Sequence, residues 1–336
     1  MKTSKFLLVL MIFFLVLPVK SENQESRKRL KVGLVLGGGG AKGAAEAGVL
    51  KIIEETGMPI DYIAGTSIGS IVGGLYACGY RSADLDTLFC SQNWKTLLAD
   101  RNREFDGTIL KKKDGITYFF GFPISRKKSK SIEGNLGAIR GDSVVAFLDR
   151  LVKRPDSIDF RQLPIPFSCV AVDLTTMTEV VLKSGRLSQA MRASMAIPGV
   201  YTPEQIGDYR LIDGGTLNNL PVDVVRAMGA DVVIAIDLTQ NKRQVKDKSM
   251  NHKRKGLSWL IEWATRRPDL VKYNQNIKDC DVYINPDLKG FNAASFSPEK
   301  IQEMIQRGEA AGEKARDQLV ALKKRVDRSR SKTIFK

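Results

Sequence analysis

The chain has 336 residues, of which 43% are hydrophobic and 27% charged, a composition that excludes a disordered or a fibrous protein. This length is sufficient for one large domain or two small ones. Lysine and arginine outnumber aspartate and glutamate by 53 to 37, and the net charge of +16 favours phosphate-bearing partners, which are anionic lipids or nucleic acids.

Residues 1–21 are predicted to form a secretory signal peptide. Lys2 and Lys5 precede an unbroken apolar run over residues 6–19, and the small residue Ser21 closes the segment. The apolar run is shorter than the ~20 residues that span a bilayer comfortably. We therefore expect cleavage after Ser21 and an exported protein, either periplasmic or secreted; an uncleaved anchor stays open as the alternative.

Two strand–turn–helix units follow the signal peptide. Residues 31–36 are typical of a buried strand, and the glycine loop behind them leads into apolar residues at helical spacing over 44–55. A short strand over residues 61–64, a tight turn over 65–69 and a helix over 70–80 repeat the plan. Two successive units of this kind predict an α/β fold with a mostly parallel central sheet flanked by helices.

Residues 94–140 differ from the rest of the chain and are interpreted as an insertion or a lid over the sheet. Basic clusters at residues 111–113 and 126–130 flank the aromatic patch Tyr118-Phe119-Phe120-Gly121-Phe122. This combination predicts a peripheral contact with an anionic membrane, in which the apolar side chains insert into the lipid and the lysines bind the headgroups. An ordinary buried hairpin with solvated lysines is the equal alternative.

Alternating helices and strands are predicted over the remainder of the chain. Helices are expected at residues 142–152, 187–193, 221–228, 259–273 and 298–324, and strands at residues 167–173, 178–183, 231–238 and 282–284. Residues 241–255 are dense in lysine and arginine and predict a solvated loop. The basic tail from Arg325 is predicted to be loose, so residues 241–336 are interpreted as a C-terminal extension of basic loop and helices.

The pentapeptide Gly65-Thr66-Ser67-Ile68-Gly69 matches the nucleophile elbow Gly-x-Ser-x-Gly. In this motif a sharp turn from strand to helix exposes the serine hydroxyl, and the two glycines prevent steric collision. The positive potential of a helix N-terminus also stabilises a developing oxyanion. Ser67 is therefore the candidate nucleophile.

The glycine loop is compatible with two chemistries. Gly38-x-Gly40-x-x-Gly43 is also a dinucleotide fingerprint, but that function requires an acidic residue at the end of the second strand, and Asp61 precedes its strand. The same amides can instead stabilise an oxyanion, a role that a nearby nucleophile favours. The four cysteines are too scattered for a metal site of paired-cysteine spacing.

A serine nucleophile needs a base, and the chain offers two candidates. His252 is the only histidine, but it lies in a basic run where an exposed side chain is expected, so a triad of Ser67, Asp213 and His252 is the weaker alternative. Asp213 follows a short apolar pair and precedes Gly214 and Gly215. Burial would have to raise the pKa of this carboxyl group, or a short hydrogen bond would have to ease proton transfer. A plain turn at Asp-Gly-Gly stays open as well.

Four sequence blocks, at residues 38–43, 65–69, 193–198 and 213–215, resemble in content and order those of patatin-like phospholipases, in particular secreted bacterial ones. The resemblance implies a three-layer α/β/α catalytic domain over residues 30–240. It also implies a serine–aspartate dyad that acts without metal, cofactor or histidine. By position, Ser67 attacks, Asp213 takes the proton, and the oxyanion amides belong to Gly38, Gly39 and Gly40. Motif support comes from Gly43, Gly65, Gly69, Gly214 and Gly215.

The resemblance implies a phospholipase A-like acyl hydrolase that acts on phospholipid or another acyl-ester lipid, with no nucleic-acid partner. An esterase, thioesterase or acyltransferase with the same dyad stays open, because pocket shape decides among them; so does a non-catalytic phosphate- or nucleotide-binding protein. Lys42 is expected to be structural or a phosphate contact. Glu46 departs from bacterial relatives, which often carry histidine there, but this change does not affect the dyad.

Overall fold

The computed structural model describes residues 29–100, 137–153, 156–240, 257–265 and 267–331. The predicted signal peptide, the aromatic and basic clusters of the predicted lid, and the basic loop with His252 lie outside these residues. In the described part of the chain, no helix combines the length and the hydropathy needed to cross a membrane.

The described residues contain ten β-strands and eleven α-helices. The strands are β1 (Val32–Leu36), β2 (Tyr62–Thr66), β3 (Ser157–Asp159), β4 (Phe167–Asp173), β5 (Thr178–Leu182), β6 (Ser184–Arg186), β7 (Glu204–Ile206), β8 (Tyr209–Asp213), β9 (Val232–Ile236) and β10 (Val282–Ile284). The helices are α1 (Ala44–Glu55), α2 (Ile68–Ala77), α3 (Ser82–Ser91), α4 (Trp94–Leu98), α5 (Asp142–Val152), α6 (Leu187–Ser194), α7 (Val222–Ala227), α8 (Leu257–Thr265), α9 (Leu270–Asp279), α10 (Pro298–Lys314) and α11 (Arg316–Ser331).

The central sheet has eight strands in the order β10-β9-β1-β2-β4-β8-β7, with β5 paired to β4 outside this path. The strands from β10 to β4 run parallel to one another. In contrast, β5 and β8 are antiparallel to β4, and β7 is antiparallel to β8. The predicted α/β fold with a mostly parallel sheet is confirmed.

Helices cover both faces of this sheet. Leu34 and Leu36 of β1 belong to the larger core, together with residues of α1, α2, α10 and α11. Val35 points to the opposite face, where it shares a second core with residues of α7 and α9. Successive side chains of a strand alternate between faces, and parallel strands are normally buried on both. The expected three-layer α/β/α arrangement is confirmed.

Strand β4 carries two strands end to end along one of its edges. β2 pairs with β4 up to Val170, and β8 pairs with it from Ala171 onward, whereas β5 pairs with both of these residues. Because a strand has only two edges, β2 and β8 must share the edge opposite β5. The parallel β2 and the antiparallel β8 therefore point their final residues, Thr66 and Asp213, toward each other.

Helices α1 and α10 cross in main-chain contact. A Cβ atom at Gly48 of α1 would lie 2.1 Å from the carbonyl oxygen of Ile305. Likewise, a Cβ atom at Gly308 of α10 would lie 2.0 Å from the carbonyl oxygen of Ala45. The close approach thus depends on glycine in both helices, and it fixes α10 against the helix that follows the glycine loop.

Some predictions for the C-terminal third are wrong. The helix expected over residues 259–273 is divided into α8 and α9, because Arg267 has a φ of 57° and Pro268 removes a main-chain donor. The helix expected to end at residue 324 divides at Ala315, and α11 continues to Ser331. The tail from Arg325 is helical rather than loose over this range, since Val326 is fully buried and Arg325 binds Asp281.

Candidate active site

Ser67 lies in a sharp turn between β2 and α2. Its φ of 55° and ψ of −126° are rare for a residue other than glycine and mark a strained main chain. A Cβ atom at Gly65 would lie 2.3 Å from the carbonyl oxygen of Gly69, and one at Gly69 would lie 2.3 Å from that of Leu36. The turn therefore requires both glycines, and it directs the serine out of the strand.

The Ser67 hydroxyl is hydrogen-bonded directly to the carboxylate of Asp213. Ser67 Oγ donates to Asp213 Oδ2 at 2.7 Å, although the two residues are separated by 146 positions in the chain. The other carboxylate oxygen, Oδ1, accepts from the main-chain N–H of Gly215 at 2.8 Å. Only 5% of Ser67 and 7% of Asp213 are exposed to solvent. The structure thus brings the predicted nucleophile and base together with no group between them.

The surroundings of Asp213 make it a stronger base than an exposed carboxylate. Burial raises the pKa of Asp213 to about 6, against the opposing effect of hydrogen bonds from Ser67 and Gly215. The sequence left open whether burial or a short hydrogen bond would assist proton transfer, and the structure contains both. At neutral pH this carboxylate is charged and can accept the proton of Ser67.

The main chain of the elbow is held by two further serines. The N–H of Ser67 donates to Ser194 Oγ at 2.9 Å, and Ser194 Oγ donates in turn to the carbonyl oxygen of Val170 at 2.6 Å. Ser70 Oγ donates to the carbonyl oxygen of Ser67 at 2.6 Å. Sequence reasoning assigned no role to either serine, although Ser194 belongs to the block at residues 193–198.

The glycine loop lies against the nucleophile. A Cβ atom at Gly38 would lie 3.1 Å from the Cβ of Ser67. The N–H of Gly38 already donates to the carbonyl oxygen of Asn219 at 3.2 Å, whereas those of Gly39 and Gly40 donate to no main-chain acceptor in the described residues. Of the three predicted oxyanion donors, Gly39 and Gly40 are therefore the ones with an available N–H.

Two side chains hold this loop in place. Asn219 Nδ2 donates to the carbonyl oxygen of Gly38 at 3.3 Å and to Thr239 Oγ1 at 3.2 Å. Lys42 Nζ donates to the carbonyl oxygen of Leu238 at 2.9 Å, and burial lowers the pKa of Lys42. Of the two roles predicted for Lys42, these contacts support the structural one. Asn219 is a site residue that sequence reasoning missed.

The remaining motif glycines are also required by close packing. A Cβ atom at Gly214 would lie 2.2 Å from the carbonyl oxygen of Val170, and one at Gly215 would lie 2.5 Å from Asn219 Oδ1. A Cβ atom at Gly43 would lie 2.2 Å from Cγ1 of Ile68. The Asp-Gly-Gly segment is thus more than a plain surface turn, because it is pressed between β4 and the residues that hold the glycine loop.

Glu46, in the first turn of α1 behind the glycine loop, is fully buried. Neither of its carboxylate oxygens has a hydrogen-bond partner in the described part of the chain. Burial, together with the negative charge of Asp237, raises the pKa of Glu46 well above its usual range. Both effects disfavour the charged form of Glu46. The described residues hold no group of three or more histidine, cysteine, aspartate or glutamate side chains suited to a metal ion.

This chain is similar in sequence to known proteins. The family model for patatin-like phospholipases matches residues 34–226. Lysophospholipase nte1 of Aspergillus fumigatus is 30% identical over an alignment of 330 residues, gaps included, which covers 90% of this chain and 19% of that protein. Patatin-like phospholipase domain-containing protein 6 of Homo sapiens is 35% identical over 209 residues, 62% of this chain and 13% of that protein. The chain thus spans less than a fifth of the length of either relative.

Among solved structures, that of VipD from Legionella pneumophila aligns with a TM-score of 0.46 at 15% sequence identity. The alignment covers 86% of this chain and 67% of that chain.

Proposed function

Because this chain belongs to the patatin-like phospholipase family, we propose that it hydrolyses acyl esters of lipids, with Ser67 as nucleophile and Asp213 as general base. The observation that carries the proposal is the direct hydrogen bond of 2.7 Å between Ser67 Oγ and the buried carboxylate of Asp213. The relative from Aspergillus fumigatus is a lysophospholipase, so phospholipids and lysophospholipids are the substrates proposed first.

The reaction begins with acylation of Ser67. Its Oγ attacks the acyl carbonyl carbon while its proton passes to Asp213 Oδ2, and the negative charge on the carbonyl oxygen is stabilised by the N–H groups of Gly39 and Gly40. The tetrahedral intermediate then collapses. The carbon–oxygen bond to the alcohol breaks, the leaving oxygen takes the proton from Asp213, and the acyl group stays on Ser67 Oγ.

Deacylation repeats these steps with water as the nucleophile. Asp213 takes a proton from the water while the water oxygen attacks the acyl carbon, and the same amides stabilise the second intermediate. The bond to Ser67 Oγ breaks, Oγ recovers the proton from Asp213, and the fatty acid leaves. One carboxylate thus serves both half-reactions, as its direct contact with Ser67 permits.

Export and membrane contact are proposed from the sequence. The basic start, the apolar run over residues 6–19 and the small Ser21 support a cleaved signal peptide and an exported enzyme. The net charge of +16 and the basic and aromatic residues 118–130 support a peripheral contact with anionic lipid. Both proposals concern residues outside the described part of the chain.

The test is turnover of p-nitrophenyl esters of medium and long chain length, and release of fatty acid from phospholipid and lysophospholipid vesicles. We compare wild type with Ser67→Ala, Asp213→Asn and His252→Ala. The first two variants are expected to lose activity by at least about 10³-fold, and His252→Ala to keep it. Loss in His252→Ala would indicate a triad instead, and an inactive wild type would contradict the hydrolase proposal. Acyl transfer to an added alcohol, measured beside hydrolysis, separates a hydrolase from an acyltransferase.

A further inference from the structure

The elbow leaves two buried main-chain groups without a partner in the sheet. At Ser67 the chain turns out of β2 with positive φ, so its N–H no longer takes part in strand pairing. On β4, Val170 is the last residue paired with β2, and the next residue, Ala171, is the first paired with β8. The carbonyl oxygen of Val170 therefore lies at the junction between the two strands. Buried main-chain groups are almost always hydrogen-bonded, so both groups need a partner.

One hydroxyl group satisfies both. Ser194 Oγ accepts from the N–H of Ser67 at 2.9 Å and donates to the carbonyl oxygen of Val170 at 2.6 Å. Ser194 is the last residue of α6 and is fully buried. Serine suits this position because its single oxygen is at once an acceptor and a donor.

We propose that Ser194 is a positioning residue for the acyl transfer, and that its hydroxyl sets the direction of the Ser67 side chain toward Asp213. This inference rests on the proposed function. The bond to Ser194 fixes the nitrogen of Ser67, which together with the next turn of α2 determines where Cβ and Oγ point. The bond to Val170 fixes the same hydroxyl to the strand on which Ala171 pairs with Asp213. Ser194 thus relates the nucleophile to the strand that holds its base.

The Ser194 contact also limits the source of oxyanion stabilisation. Because the N–H of Ser67 already donates to Ser194 Oγ, it is not available to an oxyanion. The N–H groups of Gly39 and Gly40 remain among the available donors. Removal of the hydroxyl leaves the N–H of Ser67 without its buried acceptor, and the strained turn at Ser67 loses one of its restraints. A small displacement of a nucleophile is enough to slow catalysis strongly.

The test compares three variants with wild type. Ser194→Ala removes the hydroxyl, and Ser194→Cys fills the same space with a group that donates and accepts only weakly. Ser188→Ala is the matched control, since Ser188 lies on the same helix, is 1% exposed and donates its own partly buried hydrogen bond to Asp149 at 2.5 Å. Ester turnover, the rate of Ser67 labelling by a fluorophosphonate, and Tm are measured for each protein.

We expect Ser194→Ala and Ser194→Cys to lower kcat and the labelling rate by about 10²-fold with KM changed by less than about threefold. Ser188→Ala should lower Tm but keep kcat. The inference is overturned if Ser194→Cys keeps the wild-type rate, because filled space alone would then suffice, or if both alanine variants lose activity in proportion to Tm. Should Ser194→Ala not fold, the cysteine variant decides alone. If wild type turns over no ester, the proposed function itself is overturned. If wild type and the Ser194 variants are equally active, only the inference about Ser194 is overturned.

Discussion

Asn219 is hydrogen-bonded to both main-chain polar groups of Gly38. Its carbonyl oxygen accepts from the N–H of Gly38 at 3.2 Å, and its side-chain Nδ2 donates to the carbonyl oxygen of Gly38 at 3.3 Å. Gly38 lies directly against Ser67, so this pair of bonds sets the distance between the glycine loop and the nucleophile. A residue six positions after the base thus orients the donors proposed for the oxyanion.

Replacing the Asn219 side chain is expected to slow the chemical step. Asn219→Ala removes the donor to Gly38 and to Thr239, which frees the glycine loop to move away from Ser67. Loss of one oxyanion donor typically costs 10²–10³-fold in kcat, and a misplaced loop should cost about 10-fold or more. Steady-state kinetics should show a lower kcat with little change in KM. Asn93→Ala, which removes an amide group that caps α4, is the control and should keep kcat. Equal rates for both variants would contradict a role for Asn219 in catalysis.

The activity should depend on the ionisation of Asp213. With a pKa of about 6, this carboxyl group is protonated in acid and cannot then accept the proton of Ser67. We expect kcat/KM to fall tenfold per pH unit below about pH 6 and to level off above about pH 7. A pH–rate profile on a soluble, non-ionisable ester measures this. A profile that stays flat down to pH 4 would exclude Asp213 as the base.

Asp213 should also reduce the stability of the folded protein at neutral pH. Its pKa is higher in the folded chain than the ordinary 3.8, so the folded state binds the proton more tightly. The stabilising contribution of the protonated group is present below about pH 4 and is lost as pH rises through about 6. The free energy of unfolding of Asp213→Asn, measured relative to that of wild type, should therefore rise by up to about 3 kcal/mol between pH 4 and pH 8. Denaturant unfolding at both pH values measures the gain, and a constant difference would contradict the burial effect.

Glu46 should likewise reduce the stability of the folded protein as pH rises. Burial raises its pKa well above the usual range, so stability associated with the neutral acid is lost as pH rises through the pKa of the folded state. Glu46→Met keeps a long straight side chain in α1 and removes two buried carboxylate oxygens that accept no hydrogen bond from the residues the structure describes. The Tm advantage of this variant over wild type should grow from pH 5 to pH 9. Unchanged or lower Tm at pH 9 would indicate that Glu46 has a stabilising role.

The crossing of α1 and α10 should tolerate substitutions very unequally. At Gly308 a new Cβ atom would lie 2.0 Å from the main-chain oxygen of Ala45, so the helices must separate. At Gly312 the nearest atoms are Cγ1 and Cβ of the Ile52 side chain, at 2.8 and 2.9 Å, so a smaller separation of the helices is enough. Gly308→Ala should therefore lower Tm far more than Gly312→Ala, by thermal unfolding monitored by circular dichroism. Similar values would contradict the main-chain contact.

The elements that could be predicted from the sequence are those with clear signals at both ends. The observed helices α1 and α5 and the strands β4 and β10 coincide with the predicted ranges. The apolar run of β4 is continuous, as expected for a strand buried on both faces. The elbow around Ser67 and the Asp-Gly-Gly segment at Asp213 can be recognised in the sequence by their glycines. Each glycine stands where a Cβ atom would collide with a neighbouring atom, so no other residue type fits there.

The residues that escaped prediction act through contacts with distant main-chain groups. Ser194 binds Val170, and Asn219 binds Gly38, but small polar residues of this kind have no periodicity and occur throughout loops and helix ends. The divided helix was missed for a different reason. The apolar spacing over residues 259–273 is helical on both sides of Pro268, so periodicity alone bridges a break that the proline imposes.

The shared edge of β4 has a consequence for the order in which the protein assembles. Ser67 and Asp213 meet only after β2 and β8 have both docked on β4, and a slip of one residue in the pairing of β8 would turn Asp213 to the opposite face of the sheet. Contacts between segments so far apart in the chain form slowly, whereas helices form within about a microsecond. During refolding, the circular dichroism signal of the helices should therefore return before ester turnover. The delay between the two measures how long β2 and β8 take to pair with β4.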